Sequence, residues 1–132
     1  MRTYLYTGSE NEKAKAVQRL AVGLASMQYL ILVVRFGPVD AGDSLALWKS
    51  VLPIEIVQVR LPGLDWPLSH TPADKVAVQT AMAILAQVID SGDYRLVILD
   101  GIREVVSCHL LDAAELLRLV GSASDRTQIA MT

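Results

Sequence analysis

Four residues at two places in the chain could handle a phosphorylated ligand: Gly8, Ser9 and Lys13 in the turn after a short strand, and Asp100 at the end of an apolar one. A glycine lets backbone N–H groups turn towards an anion, and a helix N-terminus adds its dipole. Lysine supplies a cation, and a strand-end carboxylate can bind magnesium. In open α/β sheets ligands bind beyond the carboxyl ends of the strands, and both places qualify. Tyr4-Leu5-Tyr6-Thr7-Gly8 running into Lys13-Ala14-Lys15 is therefore a phosphate-loop address paired with a magnesium-side carboxylate. Lys13 and Asp100 also have plainer readings, a solvated lysine in the first helical turn and an aspartate making a structural hydrogen bond.

The elements that must position these residues are legible from periodicity and punctuation. Tyr4 to Tyr6 is a strand, and Glu12 to about Met27 a helix with Ala14, Val17, Ala21 and Leu24 on its inner face and Lys15, Gln18 and Arg19 outward. Tyr29 to Phe36 is a buried strand stopped by Gly37-Pro38. Asp43 to Ser50 predicts a short helix and Ile54 to Val59 a third strand, followed by a loop over Leu61 to Ser69 that carries Trp66. Thr71-Pro72-Ala73-Asp74 starts a helix with cap, proline and first-turn carboxylate, its inner face Val78, Ala81, Met82, Leu85, Val88 and Ile89, its end near Ser91-Gly92. Leu96 to Asp100 is the apolar strand. Asp112-Ala113-Ala114-Glu115 opens a capped helix with Ala113, Leu116, Leu117 and Val120 inward, and Thr127 to Met131 is the last strand. The alternation implies a three-layer α/β domain with about five mainly parallel strands.

Bulk properties agree. A chain of 132 residues, 52% hydrophobic and only 5% aromatic, suits one domain over 1–132 with an aliphatic core covered on both sheet faces. A net charge of -2 without long runs of one sign gives no footprint for nucleic acid or an anionic membrane. The single Cys108 makes no intramolecular disulfide. No apolar leader occupies the first fifteen residues and no aliphatic run approaches the roughly 20 residues of a membrane span, so the expected location is cytoplasmic.

A family resemblance emerges from motifs in one order: Tyr6-Thr7-Gly8 before Lys13, Val33 to Phe36, Gly63-Leu64-Asp65-Trp66, Ser91-Gly92-Asp93-Tyr94-Arg95 running into Leu96 to Asp100, then Leu110-Leu111-Asp112 and Glu115. Together they resemble the ATP:corrinoid adenosyltransferases that act on cob(I)alamin. The resemblance implies a P-loop NTPase-like domain of the RecA type, usually dimeric. It also implies transfer of the 5'-deoxyadenosyl group of ATP to cobalt, with magnesium and release of triphosphate. The family loop is similar to Gly-x-Gly-Lys-Gly-Lys-Thr-Thr. Gly8 and Lys13 match it, whereas Glu10 and Glu12 stand at its second and third glycines and Asn11 at its first lysine. Ala14 stands at the threonine whose hydroxyl faces magnesium, and Gly101 at the glutamate after the strand-end aspartate. Relatives continue past the segment matching Arg126 to Thr132, so one sheet edge is expected to be exposed or covered by a partner, and self-association is expected.

These departures point to a degenerate phosphate loop. Glutamate resists the positive φ that a phosphate nest needs, and two carboxylates would repel a polyphosphate. Ser9-Glu10-Asn11-Glu12 is instead a Ser-x-x-Glu capping box, so the Glu10 and Glu12 carboxylates are expected to complement the helix terminus where relatives place phosphate. The vestigial ligand set is Gly8, Ser9, Lys13 and Asp100, with Asp100 also the candidate for magnesium. Trp66 falls where the family places an aromatic near the corrinoid, although a hydrophobic plug over the sheet edge is the preferred role. His70 and His109 lack partners at ligand spacing, and Cys108 is expected to be a buried small hydrophobe.

Overall fold

A computed structural model describes residues 3–37, 49, 51–61 and 72–132, and for Glu10 and Asn11 the backbone alone. The helix expected at Asp43 to Ser50, most of the loop with Trp66, and the Thr71 cap lie outside the described residues, as does His70.

Runs of aliphatic residues make the strands. β1 (Thr3–Leu5), β2 (Ile31–Phe36), β3 (Ile54–Val59), β4 (Leu96–Asp100) and β5 (Gln128–Met131) form one sheet in the order β1-β5-β4-β2-β3. Every pairing is parallel. The central strand β4 and its neighbour β2 are almost wholly buried, as parallel strands covered on both faces must be.

Among the described residues, helices cover the two faces unequally. On one face α1 (Glu10–Ala25) packs Val17, Ala21 and Ala25 on Ile31, Val33, Leu96, Ile98 and Ala130. On the other, α2 (Pro72–Ser91), the short α3 (Ile102–Ser107) and α4 (Ala113–Gly121) cover Leu32, Val34, Val97, Leu99 and Ile129. The β1-to-β2 crossover moves across the sheet one way beneath α1, and the return moves to β4 and β5 run beneath the other helices. A single crossover hand requires this division. Each fully buried Leu, Ile or Val contributes about 1.5–3 kcal/mol, so the two aliphatic layers dominate stability. No helix among the described residues is long and apolar enough to cross a membrane.

Two faces differ from expectation. In α1, which begins at Glu10, the expected Val17 and Ala21 are buried and Leu24 packs against the core, but Lys13 and Ala25 complete the inward line and Ala14 is exposed. In α4 the buried residues are Leu119 and Val120, whereas Leu117 is 69% exposed and Ala113 is also exposed. Asp112 occupies the cap position of α4 without a side-chain hydrogen bond to the helix. Sequence reading also missed α3, whose turn carries Ile102 and Val105 into the core.

Candidate functional site

The strand ends that bear Thr7, Gly37, Asp100 and Thr132 lie on one rim of the sheet, where α1 begins. Neighbouring β2 and β4 send their following connections in opposite directions across the sheet, so a topological switch point falls between Phe36 and Asp100.

At the α1 end of this rim the chain leaves β1 through Gly8, whose φ of +114° few other residues adopt. Ser9 is the N-cap, with extended backbone. Its Oγ accepts a hydrogen bond from the Glu12 N–H at 3.2 Å, and its own N–H donates to Glu12 Oε2 at 3.4 Å. Both arms of the expected capping box are present. The Glu12 carboxylate also folds back over the glycine: Oε2 stands 2.7 Å from where a Cβ on Gly8 would be. A carboxylate therefore occupies the mouth of the helix, where orphan N–H groups and the dipole favour an anion. Lys13 follows in the first turn, only 6% exposed, on the sheet-facing side of α1.

At the middle of the rim, alternation along β2, β4 and β5 puts Arg35, Asp100 and Thr132 on the α1 face. Asp100 Oδ1 accepts from Thr132 Oγ1 at 2.9 Å, and Asp100 Oδ2 lies 3.4 Å from Arg35 Nε. The Gly101 N–H donates to Thr132 Oγ1 at 3.1 Å. Three strands thus meet through one carboxylate. Tyr4 on β1 and Tyr6 just after it stack with ring centroids 6.4 Å apart, and burial, then the neighbouring Tyr4, raises the Tyr6 phenol above its ordinary pKa.

Gly8, Ser9, Lys13 and Asp100 therefore share one end and one face of the sheet. Trp66 lies outside the described residues. Arg35 and Thr132 were not singled out from sequence, although Arg35 is the sole charge in the strand Ile-Leu-Val-Val-Arg-Phe, and a charge alone in a buried strand needs a partner. Cys108 is half-buried rather than buried, and His109, exposed at φ +60°, forms the turn after α3. Among the described residues no three His, Cys, Asp or Glu side chains cluster as a metal site. A separate apolar groove of about 340 Å³ lies on the opposite face between β3 and α2, with Val57, Ala81 and Ile84 in its walls.

A parallel three-layer α/β sheet with a strand-to-helix turn and a strand-end carboxylate on one rim defines a phosphate-loop type of domain. The ATP:corrinoid adenosyltransferase family model, BtuR/CobO/CobP, matches residues 2–132, and the chain belongs to that family. No curated protein matches it.

Proposed function

We propose that this chain is a corrinoid adenosyltransferase homologue, one cytoplasmic domain over 1–132, in which ATP binding and adenosyl transfer are lost or strongly weakened. The observation that carries the proposal is the Glu12 carboxylate held over Gly8 by the capping box. A phosphate at the same helix mouth must displace that carboxylate and then lie beside it. One like-charge contact at about 4 Å costs roughly 1 kcal/mol in water and about 4 kcal/mol at a near-surface effective dielectric. Lys13 retains a cation close by, but Ala14 offers no hydroxyl. Gly8, Ser9, Lys13 and Asp100 are then a vestigial nucleotide site, and corrinoid binding is the property retained.

Calorimetric titration with Mg-ATP tests this: no binding heat is expected, and micromolar binding overturns it. Spectral titration with cob(II)alamin separates retained corrinoid binding from its loss, since a shifted spectrum requires bound corrinoid. Adenosylcobalamin formed under reducing conditions would make the protein a residual transferase that relies on Lys13 and Asp100.

A second reading, a non-catalytic interaction module working as a homodimer, draws on the groove between β3 and α2. Val57 and Ile84 there are both exposed. Sedimentation tests it, and a strict monomer counts against it.

A further inference from the structure

Arg35 and Asp100 are register partners on adjacent parallel strands, so their side chains leave the sheet on the same face. Arg35 is the better buried of the two, its side chain 16% exposed against 45% for Asp100. The guanidinium stays charged at any ordinary pH and its planar fork suits a carboxylate. With Arg35 at Oδ2 and the Thr132 hydroxyl at Oδ1, both oxygens of Asp100 are engaged by the protein.

Magnesium takes about six oxygen ligands in near-octahedral geometry and is commonly anchored by one or two carboxylates together with substrate phosphates. Among the described residues, those on this rim do not fit it. Ala14 has no oxygen in its side chain. Gly101 has none either, and its backbone resists any replacement, with φ at +86° and a would-be Cβ 2.8 Å from the Phe36 carbonyl oxygen. Of these three positions only Asp100 offers a side-chain oxygen, and it is already paired.

We infer that Arg35 is the cation resident at Asp100 and that it excludes divalent metal from that carboxylate. The inference is independent of the Glu12 reading, because it concerns the cation position and holds whether or not a nucleotide enters. Arg35 is thus a specificity-determining residue: an arriving dication must break the ion pair, surrender the Thr132 hydrogen bond or share it, and sit beside a positive guanidinium.

Manganese(II) is the probe, followed by electron paramagnetic resonance in the absence of nucleotide, so that failure here leaves the nucleotide reading untouched. Wild type and Asp100→Asn are expected to bind it equally weakly. Arg35→Met, which keeps the aliphatic stem and removes the charge, is expected to bind roughly threefold tighter or more than wild type, the scale set by one partly exposed ion pair. Adding Asp100→Asn to that variant abolishes the gain. Manganese bound by wild type and lost in Asp100→Asn overturns the inference, as does an Arg35→Met variant that binds no tighter than wild type. Arg35→Gln replaces the methionine variant if that one does not fold, and the wild-type comparison with Asp100→Asn needs neither.

Discussion

Gly101 lies so close to β2 that a Cβ built on it would stand 2.8 Å from the carbonyl oxygen of Phe36. The same residue has φ +86°, caps α3, and gives its N–H to Thr132 Oγ1. Gly101→Ala therefore meets both a backbone strain and a steric contact with main chain that cannot swing aside. A loss of roughly 1–3 kcal/mol is expected in denaturant unfolding. Gly101→Glu, which restores the family's residue, is expected to be at least as destabilising and to bring no gain in magnesium binding.

The Ser9–Glu12 box gives a graded expectation. Ser9→Ala removes the acceptor of the Glu12 N–H and is expected to cost about 1 kcal/mol of stability. Glu12→Gln keeps an oxygen for the Ser9 N–H but deletes the charge at the helix mouth, an interaction of roughly 0.3–1 kcal/mol, so its loss is smaller. Inorganic phosphate is expected to raise the thermal midpoint of Glu12→Gln more than that of wild type, because the internal carboxylate no longer competes for the dipole. Equal shifts in both would show that Glu12 does not guard the site.

The sheet was legible because buried parallel strands are continuous aliphatic runs, and Leu96 to Asp100 and Val33 to Phe36 leave little else to be. The capping box was legible because its two hydrogen bonds are local, three residues apart in sequence. Register was not: the pairing of Arg35 with Asp100 joins strands more than sixty residues apart, and only the β2–β4 alignment brings them together. Thr132 was missed for the same reason, as its hydroxyl reaches Asp100 through the β4–β5 pairing. The inner faces of α1 and α4 were legible in part: Val17, Ala21, Leu24, Leu116 and Val120 meet the core, but Ala14, Ala113 and Leu117 do not, since a short arc of Ala and Leu fits more than one rotation and packing chooses among them. At α1 that choice turned Lys13, not Ala14, towards the sheet.

The rotation of α4 predicts an asymmetry between two leucines two positions apart. Leu119, 7% exposed in the core with Val120, is expected to cost about 2–4 kcal/mol when changed to alanine. Leu117 on the outer face is expected to stay within about 0.5 kcal/mol. Paired urea unfolding curves check this, and similar losses at both positions would favour the inner face through Leu117 that the sequence spacing first suggested.

Tyr94 and Glu55 supply a pH-dependent prediction away from the rim. The Tyr94 hydroxyl donates to Glu55 Oε2 at 2.6 Å, tying the start of β4's approach to β3. That hydrogen bond, followed by burial and the charges of Glu55 and Asp93, raises the phenol from 10.0 to about 12. A raised folded pKa means that the folded state keeps its proton after the unfolded chain has lost its own. The stabilisation is complete below about pH 10 and is lost as pH rises towards 12. Ultraviolet titration of phenolate absorbance is expected to show one tyrosine ionising near 12 that is absent from Tyr94→Phe. In Glu55→Gln the same group should titrate lower, because the hydrogen bond no longer ends on a charged acceptor and the carboxylate field is gone. Unfolding midpoints of wild type should fall more steeply than those of Tyr94→Phe between these pH values, and coincident curves would show that the bond does not persist in solution.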